Sequence, residues 1–244
     1  PDWLMVENLR LSAHRGAHNF APENTIEAYK IAIDLKYGAI ELDPRASSDG
    51  ELFIMHDDTV DRTTNGNGYI ANMDSEQIRQ LEIDTSNYPE YKNKILRVPT
   101  FEESVKIIST GNIILNVDGS KIDFSNTAIT KKMINILKKY EIYQNTFFVI
   151  SNTSQRYAFN QSYPDATLSW LLTDSSMIDN AITEVKSYQK ALLSIPLNIV
   201  TDDILEKLRN TNIYYQIYNV NTKTDLNHLL IKKTPMIETD ILLP

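Results

Sequence analysis

The sequence predicts an α/β fold, a (β/α)8 TIM barrel. Strand-like apolar runs alternate with amphipathic helical segments along nearly the whole chain of 244 residues, as they do in barrels of parallel strands. No Gly/Ser linker or low-complexity tract interrupts the alternation, and one barrel accommodates a chain of this length. We therefore expect a single domain over residues 1–244, and the number of strands supports a barrel.

Nine apolar runs have the length and the flanking residues of buried strands. They are the run through Ser12 and Ala13 and the segments 39–43, 52–57, 113–118, 146–151, 167–172, 191–195, 213–220 and 235–240. Only eight residues connect the second run to the third, whereas a parallel crossover needs a dozen or more. We therefore interpret 52–57 as an extra strand, and eight strands remain for the barrel.

Two helix starts have the spacing of a capping box. In the first, Asn24 is the predicted N-cap and Glu27 closes the box, while Gly38 suits the C-terminal cap. In the second, Thr100 and Glu103 have the same spacing. Helices that begin here fit between the predicted strands.

A segment rich in turn formers separates the extra strand from the second helix. Residues 61–98 contain one short helical pattern and no convincing buried strand. We therefore expect a small insertion at about 60–99, after the second barrel strand and over one end of the barrel.

Composition excludes several classes of function. A net charge of -8 without a basic face argues against nucleic acid as a partner, and no apolar run approaches the ~20 residues of a membrane span. We therefore expect no stable membrane insertion. The chain has no cysteine, which excludes disulfides, thiolate metal sites and cysteine nucleophiles.

The beginning of the sequence bears on the compartment. The stretch "PDWLMVENL" lacks an initiator methionine, so we expect that an upstream segment was removed, such as an export signal. The protein is then exported or periplasmic, and otherwise it is cytoplasmic.

Charged side chains close several predicted strands. Barrel enzymes hold their active sites at the carboxyl ends of the strands, so residues that follow the apolar runs meet on one rim. The residues at these positions are His14, Arg15, Glu41, Asp43, His56, Asp57 and Asp118, with Lys121 just beyond. Two of only four histidines in the chain belong to this set.

The acidic residues of this set suit a divalent ion. Glu41 and Asp43 are two residues apart, so both side chains project to the same face of a strand. Neighbouring carboxylates resist burial unless a cation neutralises them, and oxygen ligands suit Ca²⁺ and Mg²⁺. Asp118 is a candidate third ligand. The alternative is a solvated strand end, or a pair of acids matched by a basic neighbour.

Single residues of the set have ordinary interpretations as well. A histidine such as His14 is often part of a core or a surface, and an arginine such as Arg15 often forms a structural salt bridge. His18 and His228 are interpreted in this way, as a loop residue and a residue on a helix surface. The coincidence of histidines and carboxylates at strand ends favours a site for the others.

Four motifs in fixed order resemble the glycerophosphodiester phosphodiesterase family. They are "AHRG", "PENTIEAY", "IELD" and "MHDDTVDRTTNGNG", and they lie within residues 13–68. The resemblance continues through "VPTFEE", "ILNVDGSK", "YNVNT" and "IETDILLP". It therefore extends over nearly the whole chain.

The resemblance implies a role for each site residue. It implies that His14 and His56 are a general acid/base pair, that Glu41 and Asp43 bind one divalent ion, Ca²⁺ or Mg²⁺, and that Arg15 holds the phosphate. We expect Asp57 and Arg62 to orient His56 and to brace its loop.

The sequence departs from the family pattern at "NVDGSK". The family has a Glu followed two residues later by Lys, whereas this chain has Asp118 and, three residues on, Lys121. We expect Asp118 to reach the ion directly or through one water, Gly119 to permit a bulge, and Lys121 to bind the phosphate. The alternative is a solvent-facing Asp-Gly-Ser turn. Tyr218 stands where the family has Trp, and Tyr218 or Trp170 either lines the pocket or packs in the barrel.

The expected activity is metal-dependent hydrolysis of a glycerophosphodiester, a small-molecule substrate, to glycerol phosphate and an alcohol. Water or the glycerol 2-hydroxyl is the nucleophile, since both routes use the same two histidines. Two alternatives come from other classes. One is a phospholipase C-like or D-like barrel that acts on intact lipids, and the other is a barrel that binds phosphodiesters without catalysis.

Overall fold

The structure, a computed structural model, describes residues 2–5 and 9–244. Part of the stretch "PDWLMVENL", on which the expected removal of an export signal rests, therefore lies outside the described residues. Among the helices of the described part, none is both long and apolar enough to cross a membrane.

Ten strands lie within residues 9–244. They are β1 Arg10–Ala13, β2 Ala39–Leu42, β3 Pro44–Ala46, β4 Leu52–Ile54, β5 Ile114–Asp118, β6 Thr146–Val149, β7 Thr167–Ser169, β8 Leu193–Pro196, β9 Tyr215–Tyr218 and β10 Met236–Thr239. Eight of them pair in parallel in the order β7-β6-β5-β2-β1-β10-β9-β8. Parallel bridges from Leu168 to Ala191 and from Leu171 to Ser194 return β8 to β7. The strands thus close into the predicted barrel, in chain order around the ring.

Eight α-helices accompany these strands in the described part of the chain. They are α1 Ile26–Asp34, α2 Ser75–Gln80, α3 Phe101–Ile108, α4 Thr127–Lys139, α5 Thr153–Ser162, α6 Ile178–Val185, α7 Asp202–Asn210 and α8 Lys223–Ile231. Each of them lies between two successive barrel strands in the chain, and the apolar sides of all except α2 form one large core cluster with the sheet. This right-handed alternation places the carboxyl ends of all eight barrel strands on the same rim.

The predicted extra strand forms a hairpin beside the barrel. It is shorter than predicted, since β4 ends at Ile54, and it pairs antiparallel with β3. Strand β3 was not predicted from the sequence. Its signal was the connection "SSDG", because Gly50 has a left-handed φ of 82° and Asp-Gly is typical of hairpin turns.

The segment between β4 and α3 forms a hydrophobic cluster of its own with Phe53 of β4. The other members of the cluster are Met55, Val60, Ile70, Ile78, Leu81, Ile83, Leu96 and Val98. The hydroxyl of Tyr88 donates a hydrogen bond to the backbone oxygen of His18 at 2.5 Å. Since His18 lies in the loop after β1, this contact places part of the segment at the carboxyl rim of the barrel.

The caps of α1 differ from the prediction. Thr25 is the N-cap and accepts from the Ala28 N–H at 3.1 Å, whereas Asn24 has a left-handed φ of 55° and directs its side chain elsewhere. At the other end, Lys36 takes the left-handed conformation with φ of 66°. Gly38 instead allows close packing, since a Cβ there would lie 2.9 Å from Arg10 Cβ. At α3, Thr100 is the N-cap as predicted.

Candidate active site

A cavity of about 140 Å³ opens at the carboxyl rim of the barrel. Of the predicted site residues, His14, Glu41 and Asp118 line it, and Glu238 of β10 lines it as well. These residues belong to four different elements, the turn after β1 and strands β2, β5 and β10, and they meet because parallel strands end together.

Three carboxylates form a group that suits a cation. Glu41, Asp43 and Asp118 each offer an oxygen, and these oxygens lie within 4.8 Å of one another. Both oxygens of Glu41 are buried without a hydrogen-bond partner among the described residues. Burial, followed by repulsion from Asp43 and Glu238, raises the pKa of Glu41 well above its usual range. A buried carboxylate without donors is costly, and a bound hard cation removes this cost.

Asp43 is held by two donors. Lys121 Nζ lies 2.6 Å from its Oδ1, and Asn24 Nδ2 donates to its Oδ2 at 2.9 Å. Burial by itself would raise the pKa of Asp43, but these donors hold it well below its usual range. Tyr29 donates to Asn24 Oδ1 at 3.2 Å. Asn24 is thus a site residue that fixes a carboxylate, and this contact explains why it is not the helix cap.

The stretch "DGSK" forms a single 3-10 turn after β5. Asp118 caps this turn by accepting from the Ser120 N–H at 3.0 Å. The predicted bulge at Gly119 is wrong, because β5 pairs regularly with β6 as far as Asp118 and Val149. Glycine is required here for a different reason, since a Cβ would collide with the ring of Phe124 and lie 2.7 Å from the Val149 oxygen.

The turn brings Lys121 into the site. Its Nζ lies 2.7 Å from Asp118 Oδ2 and 2.6 Å from Asp43 Oδ1. The side chain is 13% exposed, so it does not extend into solvent as in the alternative interpretation. Its contact with a phosphate stays a prediction.

His14 is oriented by an acidic residue that the sequence analysis missed. Its Nδ1 lies 2.6 Å from Asp240 Oδ1, so the N–H is on Nδ1 and donates to the carboxylate. The Nε2 atom lies 3.4 Å from Glu41 Oε2. Burial lowers the pKa of His14, but the carboxylates of Glu238 and Asp240 outweigh it, and the pKa is raised.

His18 and Glu238 were also missed as site residues. His18 is a loop residue as expected, yet its Nε2 lies 2.9 Å from Asp240 Oδ1, beside His14. Glu238 is 7% exposed and lies in β10. The motif "ETD" held a usable signal, because Glu238 and Asp240 are two apart at the end of a strand, as Glu41 and Asp43 are.

A chain of ion pairs connects His56 to Arg15. His56 Nδ1 lies 2.8 Å from Asp57 Oδ1, and Arg62 contacts both Asp57 at 2.9 Å and Glu23 at 2.7 Å. Glu23 also lies 3.2 Å from Arg15. The chain of contacts thus ends at the residue next to His14, whereas His56 is not among the residues that line the cavity.

Arg15 lies in the turn that follows β1. Its φ of 58° is left-handed, and the Asn24 N–H donates to its oxygen at 2.9 Å, which stabilises the turn. Its Nε lies 3.9 Å from Asp43 Oδ2 and, buried as it is, has no hydrogen-bond partner among the described residues. A guanidinium N–H left in this way suits an anionic ligand.

The remaining predicted residues divide between cavity, core and surface. Tyr218 lines the cavity, and burial together with the charges of Glu238 and Asp118 raises its pKa to about 12. Trp170 is buried beneath the guanidinium of Arg156, which lies 4.1 Å from a ring centroid. Trp170 thus packs in the barrel. His228 lies on α8 and pairs with Asp202 on the surface, as predicted.

Comparisons with known proteins identify the family of the chain. The sequence profile of the Glycerophosphoryl diester phosphodiesterase family matches residues 14–240. A glycerophosphodiester phosphodiesterase of Caldanaerobacter subterraneus subsp. tengcongensis is 26% identical over 228 residues, which are 93% of this chain and 92% of the relative. One of Bacillus subtilis is 28% identical over 244 aligned positions, which cover 93% of this chain and 82% of that protein.

Solved structures show the same fold. A phosphodiesterase of Oleispira antarctica, in complex with the product sn-glycerol-3-phosphate, has a TM-score of 0.82 at 20% identity and covers 95% of this chain and 92% of its own. A glycerophosphodiester phosphodiesterase of Agrobacterium tumefaciens has a TM-score of 0.77 at 21% identity, with 96% and 97% covered. The family profile spans all the residues of the site, and the chain therefore belongs to the glycerophosphoryl diester phosphodiesterase family, a family of phosphoric diester hydrolases.

Proposed function

We propose that the chain hydrolyses glycerophosphodiesters to glycerol phosphate and an alcohol, with one divalent ion, Ca²⁺ or Mg²⁺, and with His14 and His56 as general acid and base. The observation that carries this proposal is the buried carboxylate of Glu41, whose two oxygens have no hydrogen-bond partner among the described residues. The similar phosphodiesterase with bound sn-glycerol-3-phosphate supports glycerol phosphate as a product.

Glu41, Asp43 and Asp118 would hold the ion. Bound there, a hard divalent ion offsets the negative charge that develops on the phosphate oxygens. The residues fit this role because their oxygens lie within 4.8 Å of one another. Oxygen-only ligation supports Ca²⁺ or Mg²⁺ over softer metals.

Two cationic side chains would bind the phosphodiester anion. Arg15 offers a buried Nε–H without a partner among the described residues, and a planar guanidinium fits phosphate oxygens. Lys121 lies between Asp43 and Asp118. From that position its ammonium group neutralises the carboxylates and is available to a phosphate oxygen.

The two histidines would exchange protons with the substrate. Asp240 accepts from His14 Nδ1, which leaves Nε2 to give or take a proton. Asp57 accepts from His56 Nδ1 in the same way. One histidine would remove the proton of the nucleophile and the other would protonate the leaving alkoxide, a task for which imidazole side chains are well suited near neutral pH.

The direct test is hydrolysis of a panel of glycerophosphodiesters with different alcohols. We expect release of glycerol phosphate, loss of activity after treatment with a chelator, and recovery on addition of Ca²⁺ or Mg²⁺. Full activity after exhaustive chelation would contradict the metal requirement, and inactivity on the whole panel with metal would contradict the substrate class.

Hydrolysis of intact phospholipids is a second candidate, favoured by apolar residues at the rim. Phe20, in the loop after β1, is 41% exposed, and Ile241, directly after β10, is 51% exposed. Asn19 Nδ2 donates to the Ile241 oxygen at 3.5 Å, so the two loops are neighbours. If the substrate is a lipid, the double variant Phe20→Ser, Ile241→Ser loses activity on phospholipid vesicles but keeps it on soluble glycerophosphodiesters.

A further inference from the structure

Glu238 forms a second acidic group with Glu41. It lies in β10, lines the same cavity and is 7% exposed. An oxygen of Glu238, an oxygen of Glu41 and a nitrogen of His14 lie within 4.8 Å of one another. Glu41 is thus a member of two groups, this one and the group with Asp43 and Asp118.

The charge of Glu238 has little compensation from protein groups. Asn116 Nδ2 donates to its Oε2 at 3.3 Å, which is a neutral donor. Among the described residues, no Lys or Arg lies within 4.0 Å of its carboxylate, and the nearest cationic candidate is His14, with Nε2 at 4.0 Å. His14 is already paired with Asp240, so a buried carboxylate stands here without a full counter-charge.

Two neutral oxygens beside Glu238 also lack donors. Asn116 Oδ1 and Gln216 Oε1 are buried without a hydrogen-bond partner among the described residues. Both side chains are at most 2% exposed and line the cavity. The nitrogen of Asn116 is engaged, since Nδ2 donates to the carboxylate of Glu238, which leaves its oxygen as the free atom. The nitrogen of Gln216 contacts Ser194 Oγ at 2.7 Å. The cavity therefore presents acceptors, as a bound cation requires.

The charges around the cavity also favour a bound cation. Four carboxylates, those of Glu41, Asp43, Asp118 and Glu238, lie around the cavity, and one permanent cation, Lys121, lies between Asp43 and Asp118. Arg15 is shared, because it lies 3.2 Å from Glu23 and 3.9 Å from Asp43. An excess of negative charge remains, as a site for a divalent cation requires.

We propose that Glu238 is a further ligand of the divalent ion, which would lie at Glu41, the acid that the two groups share. This inference rests on the proposed metal site. Carboxylate and amide oxygens together are the ligands that Ca²⁺ prefers, and it accepts six to eight of them.

Calorimetric titration of the chelator-treated protein with Ca²⁺ and with Mg²⁺ tests the proposal without a substrate. We expect Glu238→Gln to bind the ion about tenfold or more weakly, the scale of losses at metal sites. Glu238→Asp, which keeps the charge but shortens the side chain, should give a smaller loss. The matched control is Glu51→Gln, because Glu51 is an exposed carboxylate on the β3–β4 hairpin that pairs with Lys132, and its affinity should equal that of the wild type.

An affinity of folded Glu238→Gln within twofold of the wild type overturns the inference and leaves the proposed function standing. If Glu238→Gln does not fold, Glu238→Asp decides, and wild-type affinity in that variant overturns the inference as well. If the wild-type protein binds neither ion, both this inference and the proposed metal requirement are refuted. The hydrolysis of the glycerophosphodiester panel still tests the substrate class in that case.

Discussion

Asp240 Oδ1 lies 2.6 Å from His14 Nδ1. Asp240 follows the last barrel strand, β10, and His14 follows the first, β1, so a residue near the end of the chain orients a histidine near its beginning. An aspartate in this position fixes the tautomer and the ring orientation of a histidine and stabilises its protonated form. The contact joins residues 226 positions apart, and it gives His14 an unengaged Nε2 on the side of Glu41.

Replacing Asp240 by Asn tests this relationship. We expect Asp240→Asn to lower kcat by about 10²-fold or more, because an amide no longer enforces the reactive tautomer. The loss of a negative charge should also lower the pKa of His14, since Asp240 raises it, and the limb of the pH–rate profile that reports His14 should move to lower pH. Asp202→Asn is the matched control, because Asp202 pairs with the surface His228 at 2.6 Å. An unchanged profile in Asp240→Asn would contradict the positioning role.

The two candidate catalytic histidines can be separated from structural ones. We expect His14→Ala and His56→Ala each to reduce turnover by about 10² to 10⁴-fold, because a positioned proton donor or acceptor is lost. Circular dichroism should show a folded protein in both cases. His228→Ala, in which a surface ion pair is removed, should keep its activity. Activity near the wild type in either of the first two variants would assign that histidine a structural role.

Replacing Lys121 tests whether its ammonium group and a metal ion neutralise the same carboxylates. Lys121→Met leaves the buried Asp43 without its closest cation, and removal of one partner from a buried pair costs about 3 kcal/mol or more. We expect this loss in the free energy of unfolding of metal-free protein, measured in urea. Saturating Mg²⁺ or Ca²⁺ should restore part of it, because the ion neutralises the same carboxylates. Lys132→Met, at the surface pair with Glu51, should change stability little. Equal stability of Lys121→Met and wild type without metal would refute the assigned role.

The pH dependence of stability follows from Glu238. Burial first, and then the charges of Asp118 and Asp43 against the attraction of His14, raise its pKa from 4.5 to about 7. Between these two values the folded protein holds a proton that the unfolded chain releases, so stability falls as pH rises. The contribution is complete below pH 4.5 and is lost as pH passes through 7. In chelator, the free energy of unfolding should therefore decrease between pH 5 and pH 8, and Glu238→Gln should flatten the decrease. The same slope in both proteins would contradict this pKa.

The meeting of residues at the strand ends could be predicted from the sequence. His14, Glu41 and Asp118 follow or close apolar runs, and parallel strands must bring such residues together. Asn24 was misinterpreted because its spacing from Glu27 is typical of a helix cap. In the structure its side chain instead donates a hydrogen bond to Asp43, 19 residues away. The choice between these partners depends on tertiary packing, which local spacing does not encode.

The fold was predicted from periodicity, and its exceptions have physical reasons as well. Strand β3 was missed because "PRA" has no apolar alternation, and its pairing depends on the turn at Gly50. At Gly119 the residue type indicated a special backbone. The actual requirement is space next to Phe124 and Val149, which only the folded neighbours define.

The pairing of β1 with β10 has a consequence for co-translational folding. Arg10 to Ala13 find their partners in Met236 to Thr239, and Tyr37 donates to the Leu242 oxygen at 2.5 Å. Synthesis proceeds from the amino end, so β1 is synthesised early, whereas β10, which pairs with one of its edges, is synthesised almost last. His14 likewise has no orienting carboxylate until Asp240 emerges from the exit tunnel. A nascent chain that ends before β10 therefore leaves the edge of β1 that pairs with β10 uncovered.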